Sequence, residues 1–378
     1  MNSCSLKKIS LYFAKLGFTG FGGPAALVRY MERDLVEERK WISQDEYNEG
    51  FALAQLAPGP LAAQLSIYLG WVRYRILGAT LCGLSFVLPS FIMCIVLAWF
   101  YIHFKNLPWL GPIFYTVGAS VIGIIAISSQ KLAKKAIGKE KALFVIWLIS
   151  ALITAITETE VVWFFIFSGL AFMFFKNPQT LRSKKAFLFF PPLFWEGING
   201  ISEDNTALNV LIYFAKAGTF VFGSGLAIVP FLHSGVVNEF HWLNEHQFLD
   251  AVAVAMITPG PVVITVAFIG FLIAGLGGSF LAAIGTFLPC YLFTIIPAPY
   301  FNKYAKNIYL KSFVLGVTAA AIGAIAGACW VLGKKAVVDK TTFAIAALTS
   351  IILVKTKIKE PILILISALI GLIIFLAK

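Results

Sequence analysis

Long apolar runs alternate with short polar loops along this chain. The runs cover 81–104, 111–128, 143–156, 161–175, 275–296, 313–332, 342–353 and 362–377. A bilayer core takes about 20 apolar residues per helix, so the longer runs cross it outright, and the shorter ones tilt or pack inside a bundle. Other apolar stretches are broken at their centres: "GFTGFGGP" at 17–24, "APGP" at 57–60, "GTFVFGSG" at 218–225 and "TPGP" at 258–261. Proline lacks a backbone N–H and its ring clashes with the preceding turn, and glycine permits tight turns. Each break therefore divides a helix into short arms. The pattern predicts an all-α polytopic membrane protein.

The breaks belong to a duplication. Shifted by 201 positions, 12–60 aligns without gaps on 213–261, with 17 identities in 49 positions. One deletion later the offset is 200, pairing Gly78 with Gly278, "LP" at 88–89 with 288–289, and "KKA" at 134–136 with 334–336. The chain reads as two homologous units, 1–190 and 200–378. Their loops differ in charge. Arg29, Arg33, Arg39, Lys40, Arg73 and Arg75 occupy two loops of the first copy whose counterparts have no lysine or arginine, whereas 299–311 carries Lys303, Lys306 and Lys311 against Lys105 alone in its counterpart. Basic loops face the cytoplasm, so the copies are expected to be inverted, a recurring plan of secondary transporters. The loops 131–141 and 334–340, both basic, dissent. Inversion needs an odd number of crossings per copy, and the short "FLFFPPLFW" at 187–195 is the candidate for the fifth.

The charge pattern also makes 50–70 a re-entrant hairpin with arms of about 10 residues, hence about 15 Å each, whose Pro-Gly-Pro tip reaches mid-membrane. Pro60 and Pro261 then take the first helical position of the returning arm, where proline is tolerated, Pro24 starts another short helix, and Ser224 serves as an N-cap. Four helix N-termini would converge near the midplane, each with unpaired N–H groups and about half a positive charge. Together they suit a dianion.

Composition agrees: of 378 residues, 59% are hydrophobic and 13% charged, with a net charge of +12 carried mainly by loop lysines that orient helices. The five cysteines are scattered, with no C-x-x-C, so neither a disulfide framework nor a zinc signature is present. No cleavable signal is expected at the N-terminus. No cofactor, metal or nucleic-acid module is expected. H-E-x-x-H and P-loop motifs are absent, "FGSG" at 222–225 lacks the glycine two residues before its serine, and His233, His241 and His246 read as interfacial or loop residues, which argues against an enzyme.

The anion-site candidates are Lys15 and Lys216, repeat equivalents just before their glycine turns; the backbone of Gly22, Gly23, Gly59, Pro60, Gly223, Ser224, Gly260 and Pro261; and the matched polar pair Gln64 and Thr265. A lysine at depth usually marks a substrate or ion path. Glu49 and Asp250, also equivalents, open the Pro-Gly-Pro hairpins. They read as helix N-terminal acids or as proton-coupling groups.

"GFTGFGGPAA", "RKWIS" and "LAQLAPGPLAAQLSIYLGW" in the first copy, with "KAGTFVFGSGLAIVPFL", "HWL" and "FLDAVAVAMITPGPVVITVAFIG" in the second, resemble the chromate ion transporter family over nearly the whole chain. The resemblance implies export of chromate, or of a mimic such as sulfate, across the cytoplasmic membrane, and the two-copy plan predicts alternating access by rocking of the copies around a central site. An anion channel of the same fold stays open, as does a homodimer; lipid is the other expected partner. Relatives often carry a histidine after "GGPAA"; here Leu27 stands there.

Overall fold

The computed structural model describes residues 4–104, 107–159, 162–177, 206–219, 221–223, 225, 228–301, 307–356 and 358–377. The first copy opens with α1 (Leu6–Thr19), a break, and α2 (Gly23–Met31), which continues as a π-helix over Glu32–Glu38. Tyr12 in α1 donates to the Tyr30 carbonyl (3.2 Å) and to Asp34 (3.2 Å), so the chain turns back on itself. A second hairpin follows. Its first arm is α3 (Gln44–Leu56), started by a capping box between Ser43 and Glu46. It ends where Pro58 and Pro60 remove two N–H donors. The returning arm is the first part of α4 (Leu61–Phe104), which breaks at Tyr74 and Arg75 (φ 51°) before running on as a membrane span. The arms are 13 residues each, about 20 Å, longer than expected, because the cap sits at Ser43 and the break at Tyr74. Pro60 stands one residue before the helix, in extended backbone, not within it.

Among the described residues, three more helices follow in the first copy: α5 (Leu110–Ile137), α6 (Lys141–Thr157) and α7 (Val162–Lys176). The second copy repeats the order: α8 (Thr206–Thr219), α9 (Ile228–His233) with a π-helix over Ser234–Glu239, α10 (Glu245–Ile257), α11 (Thr265–Ile295), α12 (Ile308–Ala336), α13 (Lys340–Lys355) and α14 (Glu360–Leu376). The repeat extends to strain. Lys40 and His241, 201 apart, both have positive φ (54° and 50°), as do Arg75 and Gly275 (51° and 60°), 200 apart. The expected span at 187–195 and the Ser224 cap lie outside the described residues. In the second copy α9 is described from Ile228, and the N-terminus expected at 223–225 adjoins residues outside the described ones.

The two copies are inverted. Phe91 of α4 stacks against Phe280 of α11, ring centroids 4.9 Å apart, and Thr80 of α4 hydrogen-bonds Tyr291 of α11 at 2.7 Å. Thr80 and Phe280 are repeat equivalents, and so are Phe91 and Tyr291. The early part of each helix therefore meets the late part of the other. Equivalent spans run antiparallel, as an inverted-topology repeat requires and a parallel repeat forbids. The dissenting basic loop has a local explanation: Lys335 is paired with Glu245 and with Glu158 (3.5 Å), so its charge is spent within the protein.

The C-terminal helices are exchanged between copies. α6 and α7 pack on α12, while α13 and α14 pack on α5. Gly123 and Gly323 allow this. A Cβ on Gly123 would lie 2.6 Å from the Ala346 carbonyl, and one on Gly323 would lie 2.3 Å from that of Trp147. Ser120 bonds Thr349 (3.1 Å) and Ser150 bonds the Ala320 carbonyl (2.7 Å), again at equivalent places. Outward, large apolar side chains such as Leu88, Ile92, Val96, Leu369 and Ile373 are exposed. A belt of this extent suits lipid, not water.

Candidate anion site

The hairpin tips interlock across the copies. Gly59 N–H donates to the Val221 carbonyl (2.6 Å), and its equivalent Gly260 donates to the Gly20 carbonyl (2.9 Å). On the first of these tips Gly59 and Pro60 pair in parallel with Phe222 and Gly223. Each tip thus satisfies its backbone against the break in the other copy, as buried irregular backbone must. Each also rests on a residue that follows the Leu-Pro of the other copy's span. Ser90 donates to the Pro259 carbonyl at 2.7 Å. Cys290, its equivalent, lies under Gly59, where a Cβ would come within 3.0 Å of its sulfur. Proline at 89 and 289 removes one helix N–H and marks this supporting position in both copies.

A cavity of about 190 Å³ opens beside the second tip. It is lined by the first break (Gly20, Phe21, Gly22), the start of α2 (Gly23, Pro24, Ala25), the second tip (Thr258, Gly260), α5 (Ser128, Lys131) and the start of α14 (Glu360, Pro361). Gly22 provides no side chain to cap α2, so the N–H groups of Gly23 and Ala25 remain at an uncapped N-terminus. The N-terminus of α14 also lacks a side-chain cap. Lys131 contributes one positive charge and each helix end about half. Glu360 subtracts one, leaving roughly one net positive charge, enough to attract an oxyanion without trapping it.

Gly22, Gly23 and Gly260 line this one cavity. The other candidates lie elsewhere. Gly59, Pro60 and Gln64 are buried at the first tip and do not line this cavity. Gln64 is fully buried, its amide donating to the Pro58 carbonyl at 2.8 Å, with no partner for its Oε1. Thr265 bonds back to the Val262 carbonyl (2.7 Å) in the 3-10 turn that precedes its helix, and Pro261 is buried just before that turn. Lys15 is exposed on the face of α1 that also exposes Leu11 and Phe18, away from the cavity, and Lys216 is half-buried. Leu27 is core, 1% exposed. Lys131 was legible only as one of a group of loop lysines; α5 runs to Ile137 and sets this exposed lysine at the cavity wall.

A second cavity, about 320 Å³, opens at the other end of α5. Tyr101, Gly111, Tyr115, His246, Asp250 and Lys335 are among its lining. Gly118 lines this cavity and Ile124 the first, and on α10 Asp250 lines this one and Met256 the first. Six residues of helix, about 9 Å, separate the two on each element. The partition consists of 119–123 and 251–255, all buried small or branched residues.

At the rim of the second cavity, His233 is buried, not a loop residue, and bonds Glu245 at 2.9 Å. Burial raises the Glu245 pKa, but the hydrogen bonds from His233 and Lys335 outweigh it and hold the carboxyl below its usual range. Asp339 is lowered too, by the Tyr115 hydroxyl and the Thr342 N–H.

The chromate transporter family model matches residues 7–173 and 208–372, once per copy. A chromate transport protein of Cupriavidus metallidurans is 56% identical over 375 residues, covering 98% of this chain and 94% of its own length. A probable chromate transport protein of Synechococcus elongatus is 53% identical over 379 residues, covering 98% and 95%. A chromate transport protein of Pseudomonas aeruginosa is 29% identical over 328 residues, covering 83% and 77%. No solved structure matches. With both copies matched and relatives aligned over nearly their full length, the chain belongs to the chromate transporter family.

Proposed function

We propose that this protein is a secondary transporter that exports chromate, or a similar tetrahedral oxyanion, across the cytoplasmic membrane by alternating access. The substrate class rests on the names of the relatives and on the sign of the 190 Å³ cavity. The observation that carries the mechanism is the pair of cavities that approach from opposite ends of α5 and stop about 9 Å apart. An anion entering beside Lys131 would meet the α2 N-terminus and Thr258. Movement of one copy against the other would then shift the partition from one side of it to the other. The basic face, with Arg33, Arg39, Lys40, Arg73 and Arg75, is assigned to the cytoplasm. An inside-negative potential then drives a dianion outward by about 4.6 kcal/mol per 100 mV, twice the roughly 2.3 kcal/mol per charge.

Two features speak for a carrier over a channel: neither cavity runs through, and the partition is packed. Purified protein in liposomes, loaded with unlabelled chromate, is expected to accumulate isotopic chromate by exchange, with sulfate and molybdate competing in order of fit. Saturable exchange supports the carrier. Current far above carrier rates without exchange would support the channel, and no anion flux of either kind would remove the proposal.

A further inference from the structure

The second cavity contains a group that anion binding does not explain. Asp250 lies in the middle of α10, 8% exposed, and Tyr101 of the other copy donates to it at 2.7 Å. The surroundings are accounted for element by element. α4 brings Tyr101 and α5 brings Tyr115; α10 itself brings His246 one turn earlier; α12 brings Lys335. Lys335 is committed to Glu245 and Glu158. α11 has no acidic or basic residue, and α14 has none beyond Glu360 at its start. Asp250 therefore has no committed counter-charge, yet it borders this cavity.

The repeat is unequal here. In the first copy Glu49 is half-buried and faces Tyr68 of its own hairpin. Phe268 stands at the repeat equivalent of Tyr68, and Phe301 at that of Tyr101. The first acid is thus tied within one hairpin, whereas the second is tied across the two copies, which rock against each other in an alternating-access cycle. On the same helix, six residues on, Met256 and then Thr258 line the anion cavity.

We propose that Asp250 is the proton-binding site of the transport cycle, loaded from the second cavity and linked to anion movement through α10 and the Tyr101 contact. This rests on the transporter reading given above. A proton enters as an anion leaves: the carboxylate takes H⁺ from water in the cavity, the Tyr101 bond to the charged form weakens, and the copies are released to move. After the movement the proton is returned to water on the opposite side.

The test uses full-length protein in liposomes with chromate and an internal pH dye. External acid is expected to accelerate chromate efflux together with dye-reported acidification. Asp250→Asn is expected to reduce the proton signal at least 10-fold while isotopic chromate exchange continues. Tyr101→Phe is expected to move the pH midpoint of efflux upward, because the lost donor favoured the charged carboxylate; a merely structural role would lower rates without moving it. Wild-type exchange without proton movement, or an intact proton signal in Asp250→Asn, would overturn the coupling while leaving the transporter reading in place. Difference infrared spectra of solubilised protein examine the same carboxyl with no anion present. A titrating carboxyl band that disappears in Asp250→Asn supports the site, and one that survives overturns it, even if chromate flux is absent.

Discussion

Gly260→Ala tests the interlocked tips most directly. Gly260 has φ 91°, and an added Cβ would lie 2.0 Å from the Ser90 hydroxyl and 3.2 Å from the Gly17 carbonyl. The strained backbone costs an alanine about 1–2 kcal/mol. The clash expels the Ser90 hydroxyl and breaks its 2.7 Å bond to the Pro259 carbonyl, and a buried unsatisfied carbonyl costs about 1–3 kcal/mol. The single variant should therefore lose about 2–5 kcal/mol, a large part of a typical stability of about 5–15 kcal/mol. Ser90→Ala alone should lose only the hydrogen bond, about 1–3 kcal/mol. In the double variant that bond is lost once and the closest clash is gone, so the two losses should overlap by about 1–3 kcal/mol. Equilibrium unfolding in mixed detergent micelles measures this coupling, and chromate exchange on the same samples reports whether the tip still works. Losses that add to within about 0.5 kcal/mol, the behaviour of independent sites, would refute the contact between tip and span.

Lys131→Gln should raise the chromate concentration for half-maximal exchange about 10-fold, equivalent to about 1.4 kcal/mol, with folding unchanged, whereas Lys15→Ala, on the outward face of α1, should leave it within about twofold. Single cysteines at Lys40 and His241 in a cysteine-free background should label from opposite faces of oriented vesicles; labelling of both from one face contradicts the inversion. Glu245→Gln should destabilise by about 1.5–3 kcal/mol at neutral pH, the range for hydrogen bonds to a charged group. Its sign with pH is fixed. A carboxyl lowered on folding contributes above its unfolded value, near 4.3, and the contribution is lost as pH falls through the folded value. Thermal unfolding of wild type and variant should therefore converge in acid.

What the chain determined by itself is its class, its duplication, its inversion and its breaks. These are local properties: apolar length, the period between copies, loop charge, and proline and glycine, which act on the turn in which they stand. The tips at Gly59 and Gly260 and the arms around them were legible for that reason. Tertiary structure decided which of these features share a space. Only packing between copies sets Gly260 on Ser90 and Gly59 over Cys290, exchanges α6 and α7 for α13 and α14, and turns Lys131, one loop lysine among several, into the cation of the cavity. Packing likewise leaves Lys15 facing outward although its spacing from Gly17 matches that of Lys216 from Gly218, because spacing along a helix fixes a face but not what lies against that face. Asp250 and Tyr101 stand 149 residues apart in sequence, and no periodicity links them. Only the antiparallel approach of the two copies brings that carboxylate and hydroxyl together.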